Sequence, residues 1–286
     1  MQKSVFKKIV TLHDTLVDFY TMHKRDVLPW RRAITPYKVV VSEIMLQQTQ
    51  VDRVVPFFTQ WMKLFPSWKS LAQAQQSDVL RAWKGLGYNS RALRLQKLAQ
   101  TLTDTHDGRV PKEREKLESL PGIGPYTAGA VRAFVYNEWD VCIETNIRTV
   151  IFHHILPHSR DIRDSDVTHY LSTLVQYAMD MSALDARHFY YALMDYGSHL
   201  KRQGVRLNAK SKHYTKQSKF KGSDREIRGA ILDILLRDTR TSFKKIYQSV
   251  KRNVGDREEE RVKNILKNLI QEGFIVAGQK KYSLKK

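Results

Sequence analysis

Apolar residues recur at helical spacing along most of the chain. Val5, Ile9, Leu12, Leu16 and Phe19 mark one amphipathic helix over 5–20, which ends before Leu28-Pro29-Trp30-Arg31-Arg32, a rigid turn with an aromatic ring and two fixed cations. A second helix is predicted over 36–54. Short helices over 57–65, 68–74 and 79–83 follow, separated by Pro66 and polar turns. Gly85-Leu86-Gly87-Tyr88 is a turn that presents a tyrosine, and Arg91, Arg94 and Lys97 then space basic side chains along a new helix. Leu120-Pro121-Gly122-Ile123-Gly124 is a glycine-rich turn running straight into a helix-competent segment over 126–135. Helices are predicted from Asn146 to Leu156, over 165–179 and over 184–200.

From 201 to 221 this periodicity lapses. Lys201, Arg202, Arg206, Lys210, Lys212, Lys216, Lys219 and Lys221 occur there with no acidic residue among them, the pattern of a linker lying along phosphates. Ser223-Asp224-Arg225-Glu226 then reads as a capping box that opens a helix through Leu235. Two more helices over 243–250 and 258–270 precede two short apolar pieces, 274–276 and 282–284, around Gly278. Three helices and a small hairpin predict a winged-helix-like domain. Its third helix offers Arg261, Lys263, Asn264, Lys267 and Asn268 to a groove, while Glu258, Glu259 and Glu260 oppose that, so reading DNA and docking a protein both stay open. The expected fold class is mainly α, with boundaries at 1–200, 201–222 and 223–286.

Charge narrows the partners. Across 286 residues, Lys and Arg outnumber Asp and Glu by 49 to 29, a net +20 that points to a polyanion. Nucleic acid is favoured over membrane, because no long apolar or basic-amphipathic anchor accompanies the charge. Cys142 is the only cysteine, which excludes internal disulfides and cysteine-rich metal or iron–sulfur sites. His153, His154 and His158 suggest no metal site either, since adjacent histidines face different sides of a helix and no carboxylate completes a ligand set. Asp14 interrupts the apolar stretch that a signal peptide would need, so an intracellular location is expected.

Two stretches suggest chemistry. The turn at 120–124 leaves unpaired amides at a helix N-terminus, which suits a phosphate oxygen, although an ordinary helix connection has the same composition. Eighteen residues past Tyr126 stands Glu144, a lone carboxylate after the apolar run Val141-Cys142-Ile143. On the helix over 36–54, Glu43 sits between Val41 and Ile44-Met45-Leu46. It is either a surface residue or a partly buried acid with a raised pKa.

The triplet Leu28-Pro29-Trp30 together with SEIMLQQTQV at 42–51, GLGYNSRA at 85–92, LPGIGPYTAGA at 120–130 and IETNIRTV at 143–150 resembles the helix-hairpin-helix DNA glycosylases. The branch most similar is that of the MutY-like adenine glycosylases, over roughly 25–200. That resemblance implies two all-helical lobes with the active site in the cleft between them. It implies that Gly122, Ile123 and Gly124 hold the DNA backbone, with an alkali cation as a helper, and that Gln48 and Tyr88 enter the base stack. Arg91 and Arg148 are expected at DNA as well. Glu43 corresponds to the acid that protonates the departing base, Glu144 to the carboxylate facing the sugar, and Asn146 to the residue orienting that carboxylate. Trp30, Arg31 and Tyr191 are expected to line the base pocket. Tyr126 stands where bifunctional relatives carry a nucleophilic lysine, so strand cleavage through a Schiff base is not expected. The implied partner is duplex DNA with a mismatched or oxidised pair, bound by a monomer.

Three departures accompany the resemblance. The iron–sulfur cysteines of the family fall at Lys201, Asn208, Ser211 and Gln217, so the similarity is to clusterless members and no cluster is expected. The C-terminal region is too short, and wrongly patterned, for the Nudix-like domain that reads 8-oxoguanine. The catalytic aspartate is Glu144, and the pocket position that usually holds Glu or Gln is Tyr191. A thymine or uracil mismatch glycosylase, or a silent mismatch-binding protein, are the alternative readings.

Overall fold

The computed structural model describes residues 3–212, 214–215, 219–254, 258–279 and 281–285. In chain order its helices are α1 (Lys3–His23), α2 (Pro36–Leu46), α3 (Val51–Leu64), α4 (Trp68–Gln73), α5 (Gln76–Trp83), α6 (Ser90–Thr105), α7 (Arg114–Glu118), α8 (Pro125–Phe134), α9 (Thr145–His154), α10 (Asp164–Met181), α11 (Ala186–Arg202), α12 (Asp224–Arg237), α13 (Phe243–Val254) and α14 (Glu259–Gln271). Three short strands accompany them: β1 (Thr241–Ser242), β2 (Ile275–Gly278) and β3 (Lys281–Leu284). The chain is mainly α, as its periodicity predicts. None of the described helices is long and apolar enough to cross a membrane.

Two compact units emerge, Met1–Glu43 with Val110–Lys216, and Ile44–Arg109 with Gln217–Lys286. In the first, α9 lies along α11, and α1 packs on α10 and α11. Ile9, Leu12 and Leu16 of α1 are buried with Phe134, Ile147, Ile151, Leu171 and Phe189 in one apolar core. The predicted stripe of α1 is therefore its buried face. A side chain cannot fit where α11 crosses the start of α9: a Cβ on Gly197 would lie 2.4 Å from the Asn146 carbonyl oxygen.

In the second unit, β3 pairs antiparallel with both neighbours in the order β1-β3-β2, with Thr241 and Ala277 opposite Tyr282. The hairpin expected around Gly278 is β2–β3, and β1 adds a strand that the sequence does not announce. Ser223 caps α12, its side chain accepting from the Glu226 amide. The helix expected over 36–54 is two helices instead. The chain turns at Gln48, whose φ of 55 is left-handed, and α3 then runs on through Pro56.

The boundaries also differ from those drawn on composition. Residues 223–286 do not stand apart but share a unit with 44–109. Side chains tie the two stretches: the Gln76 amide donates to the carbonyls of Gly273 (3.2 Å) and Phe274 (3.1 Å), Lys84 pairs with Asp233, and Arg225 donates to the Tyr88 hydroxyl at 2.8 Å. Such long-range polar contacts leave no periodic trace in the sequence.

Candidate active site

Glu43 is the last residue of the first unit's share of α2 and only 5% exposed. Its Oε2 accepts a hydrogen bond from the Tyr126 hydroxyl at 2.7 Å. Tyr126 is the second residue of α8, set there by Gly124 as cap and Pro125 at the first helical position, where a missing N–H costs nothing. Burial raises the Glu43 carboxyl from 4.5 to about 7; the Tyr126 hydrogen bond opposes this, the Glu144 charge adds to it and Arg31 counters it. Of the two readings open for Glu43, the buried acid is the one found. Burial, with the charges of Glu43 and Glu144, also raises the Tyr126 phenol well above its ordinary value, so it stays a donor. Near neutral pH, Glu43 is thus a carboxylic acid able to give up a proton.

Glu144 is the N-cap of α9. Its Oε1 accepts from the amides of Asn146 (2.7 Å) and Ile147 (2.9 Å), and its Oε2 from the Thr145 hydroxyl at 3.2 Å. The helix N-terminus favours negative charge at this position. Asn146, the residue expected to orient this carboxylate, meets it through its main-chain amide. Its side-chain oxygen instead accepts from the Lys201 ammonium at 2.8 Å.

The expected pocket residues sit on a buried ion cluster. Arg31 donates from both terminal nitrogens to Asp195, at 2.7 and 2.8 Å, and Arg25 adds a bond from its Nε at 2.6 Å. The Arg31 guanidinium lies 3.9 Å from the centre of the Tyr191 ring, which also stacks on Phe134 at 4.8 Å. Trp30 is buried beside Arg31 in the sequence, in a short 3₁₀ turn. Sequence reading missed Asp195, which is 1% exposed. The signal that could have found it was the one used for Glu43, a carboxylate inside an apolar helical stretch, here Tyr191-Ala192-Leu193-Met194.

In the second unit, Gln48 and Tyr88 are both non-glycine residues at left-handed φ, 55 and 49. Arg91 was expected at DNA, but it is 5% exposed and turned inward. Its Nη1 donates to the carbonyls of Ile44 (2.9 Å), Met45 (2.9 Å) and Gln47 (2.6 Å). Its Nη2 donates to Leu86 O (3.2 Å), Gly87 O (2.9 Å) and the Thr49 hydroxyl (3.2 Å). One guanidinium thereby satisfies carbonyls left over at the end of α2 and in the turn before α6. Burial lowers its pKa to about 10. Arg91→Met is expected to cost on the order of 3 kcal/mol in a denaturant melt, because buried carbonyls lose their donor. Arg91→Lys should rescue little, since an ammonium cannot span both loops; a Lys variant as stable as the wild type would refute this role.

Arg148 likewise differs from its expected place. It forms a two-pronged pair with Asp164, at 3.0 and 2.8 Å, so its charge is already partnered. Gly122 takes φ 80, a conformation that glycine alone adopts readily, and turns the chain into the Gly124 cap of α8. A thiolate-held cluster does not fit the positions that the resemblance assigns to it. Lys201 bonds α9, Asn208 accepts from Thr149 at 3.3 Å, and Ser211 pairs with Ile162 in a parallel bridge. Gln217 lies outside the described residues. Among the described residues, no group of three or more His, Cys, Asp and Glu side chains converges on a point.

Residues 41–272 match the pattern of the HhH-GPD superfamily base excision DNA repair proteins. The chain is 35% identical over 246 residues to an adenine DNA glycosylase of Mycolicibacterium smegmatis, covering 79% of this chain and 80% of that protein. It is 42% identical to an adenine DNA glycosylase of Mycobacterium tuberculosis, over 48% of this chain and 45% of the relative. For the rat adenine DNA glycosylase the identity is 36%, over 60% of this chain and 35% of the relative. The chain thus spans most of one of these proteins and less than half of the other two. In fold it is similar to a thermostable thymine-DNA glycosylase (TM-score 0.56, 24% identity, 68% of this chain and 88% of that one). Endonuclease III trapped covalently on DNA matches comparably, with a TM-score of 0.55 at 17% identity over 78% of this chain and 93% of that one.

Proposed function

Since the chain belongs to the HhH-GPD superfamily of base excision DNA repair proteins, we propose that it is a monofunctional DNA glycosylase releasing adenine from a pair with 8-oxoguanine or guanine. The observation that carries this reading is Glu43, a buried acid with a pKa raised to about 7 and a tyrosine hydroxyl at 2.7 Å. Breaking an N-glycosidic bond leaves electrons on the base and positive character on the sugar, so one protonated and one ionised carboxyl are wanted. Glu43 gives its proton to the departing base. The Glu144 carboxylate faces the sugar, where a water oxygen then bonds and its proton is lost to the medium. Tyr126 offers no amine, so no covalent intermediate forms there and the strand stays whole.

The remaining residues serve binding in this reading. Gly122, Ile123 and Gly124 hold a phosphate through main-chain groups, with an alkali cation as second partner. Gln48 and Tyr88 enter the stack as the nucleotide swings out, an exchange costing a few kcal/mol and least at a mismatch. Their left-handed backbones, worth about 1–3 kcal/mol of strain each, support that role, since strain of this kind gathers at functional sites. Trp30, Arg31 and Tyr191 form the base pocket, and the net charge of +20 draws the monomer to duplex DNA.

The test is incubation with duplexes carrying A opposite 8-oxoguanine, A opposite G, T opposite G and U opposite G, each read before and after alkali. Breaks at adenine that appear only after alkali are expected. Release of thymine or uracil in preference to adenine would overturn the substrate, and breaks without alkali would overturn the monofunctional mechanism.

A further inference from the structure

We propose that Lys201 is a positioning residue for Glu144, locking the first turn of α9 so that the carboxylate keeps one orientation. Lys201 lies one turn after Gly197 on the face of α11 that meets α9, where the two backbones approach closely. Its ammonium donates to the Thr145 hydroxyl at 3.1 Å and to the Asn146 side-chain oxygen at 2.8 Å. An ammonium has donors only, so the Thr145 oxygen must accept from it and the single Thr145 proton is left to point at Glu144 Oε2, 3.2 Å away. For the same reason the Asn146 amide is fixed with its oxygen toward the lysine and its NH₂ turned away. Both residues after Glu144 are thereby set by one side chain, and the Asn146 amide that bonds Glu144 Oε1 belongs to the same turn.

The charge acts in the same direction. Burial lowers the Lys201 pKa, the Glu144 charge raises it and Arg206 opposes Glu144. Arg206 also donates to the Lys201 carbonyl at 3.0 Å, closing the end of α11. The lysine faces the carboxylate across Thr145 and Asn146.

This inference rests on the reading of Glu144 as the carboxylate that faces the sugar, so its test has one readout with DNA and one without. The full chain and its Lys201→Met and Lys201→Arg variants would be compared by hydrogen exchange at the amides of Asn146 and Ile147, and by single-turnover release from an adenine opposite 8-oxoguanine. The Met variant should exchange these amides faster and release base more slowly, each by about tenfold, with duplex affinity within about twofold. The Arg variant should recover most of both. Unchanged exchange in the Met variant overturns the proposal, and so does an Arg variant no better than Met. Lys201→Gln, one atom shorter and uncharged, replaces the Met variant if that one melts below the assay temperature, with the same two outcomes. A wild type that releases no base from any duplex defeats the glycosylase reading, while the exchange measurement still decides whether Lys201 holds the turn.

Discussion

Glu43→Gln is expected to lower single-turnover base release by about a thousandfold while mismatch binding stays nearly intact, because the amide keeps the shape but has no proton to give. The same substitution should raise stability at alkaline pH. The Glu43 carboxyl goes from 4.5 to about 7 on folding, so the stability it contributes is whole below about pH 4.5 and is lost as pH rises through about 7. A glutamine has no such loss. The variant should therefore match the wild type in a melt at pH 4 and exceed it at pH 8, by about 3 kcal/mol for a shift of this size. Undiminished release would remove Glu43 as the acid, and equal melts at pH 8 would contradict its buried, raised state.

Glu144 carries the second large expectation. Both of its oxygens are engaged at the start of α9, by the amides of Asn146 and Ile147 and by the Thr145 hydroxyl. On the proposed mechanism, Glu144→Gln should lose most of the activity, since the charge proposed to face the sugar disappears. Glu144→Asp keeps the charge and is a good cap, yet it draws the carboxylate back by about 1 Å, a displacement that can cost on the order of a hundredfold. The fold is built around the longer side chain, so the Asp variant is also expected to slow. A faster Asp variant would mean that the site has not adapted to glutamate, and an undiminished Gln variant would take Glu144 out of the mechanism.

The two carboxylates also show how far sequence reasoning reached. Glu43 was visible as an acid in apolar company, and Glu144 as a lone carboxylate before a helix start. What α2 alone could not say was which face turns inward. That depended on Tyr126, 83 residues later, whose hydroxyl meets the carboxyl. Arg91 illustrates the opposite failure. Its spacing with Arg94 and Lys97 reads as a basic stripe, but the carbonyls exposed at the end of α2 and before α6 draw that one guanidinium inward.

The sequence by itself determined the mainly helical class, the glycine-rich turn into α8 and the main motif positions. These depend on periodicity, capping and backbone conformation, which are local and written in neighbouring residues. Only the tertiary structure decided that residues 217–286 join 44–109, that Asp195 gathers Arg25 and Arg31, and that Lys201 reaches the turn holding Glu144. Each of those rests on polar side chains meeting across a long sequence separation, where burial strengthens a hydrogen bond or an ion pair and no repeat along the chain records which partners will meet.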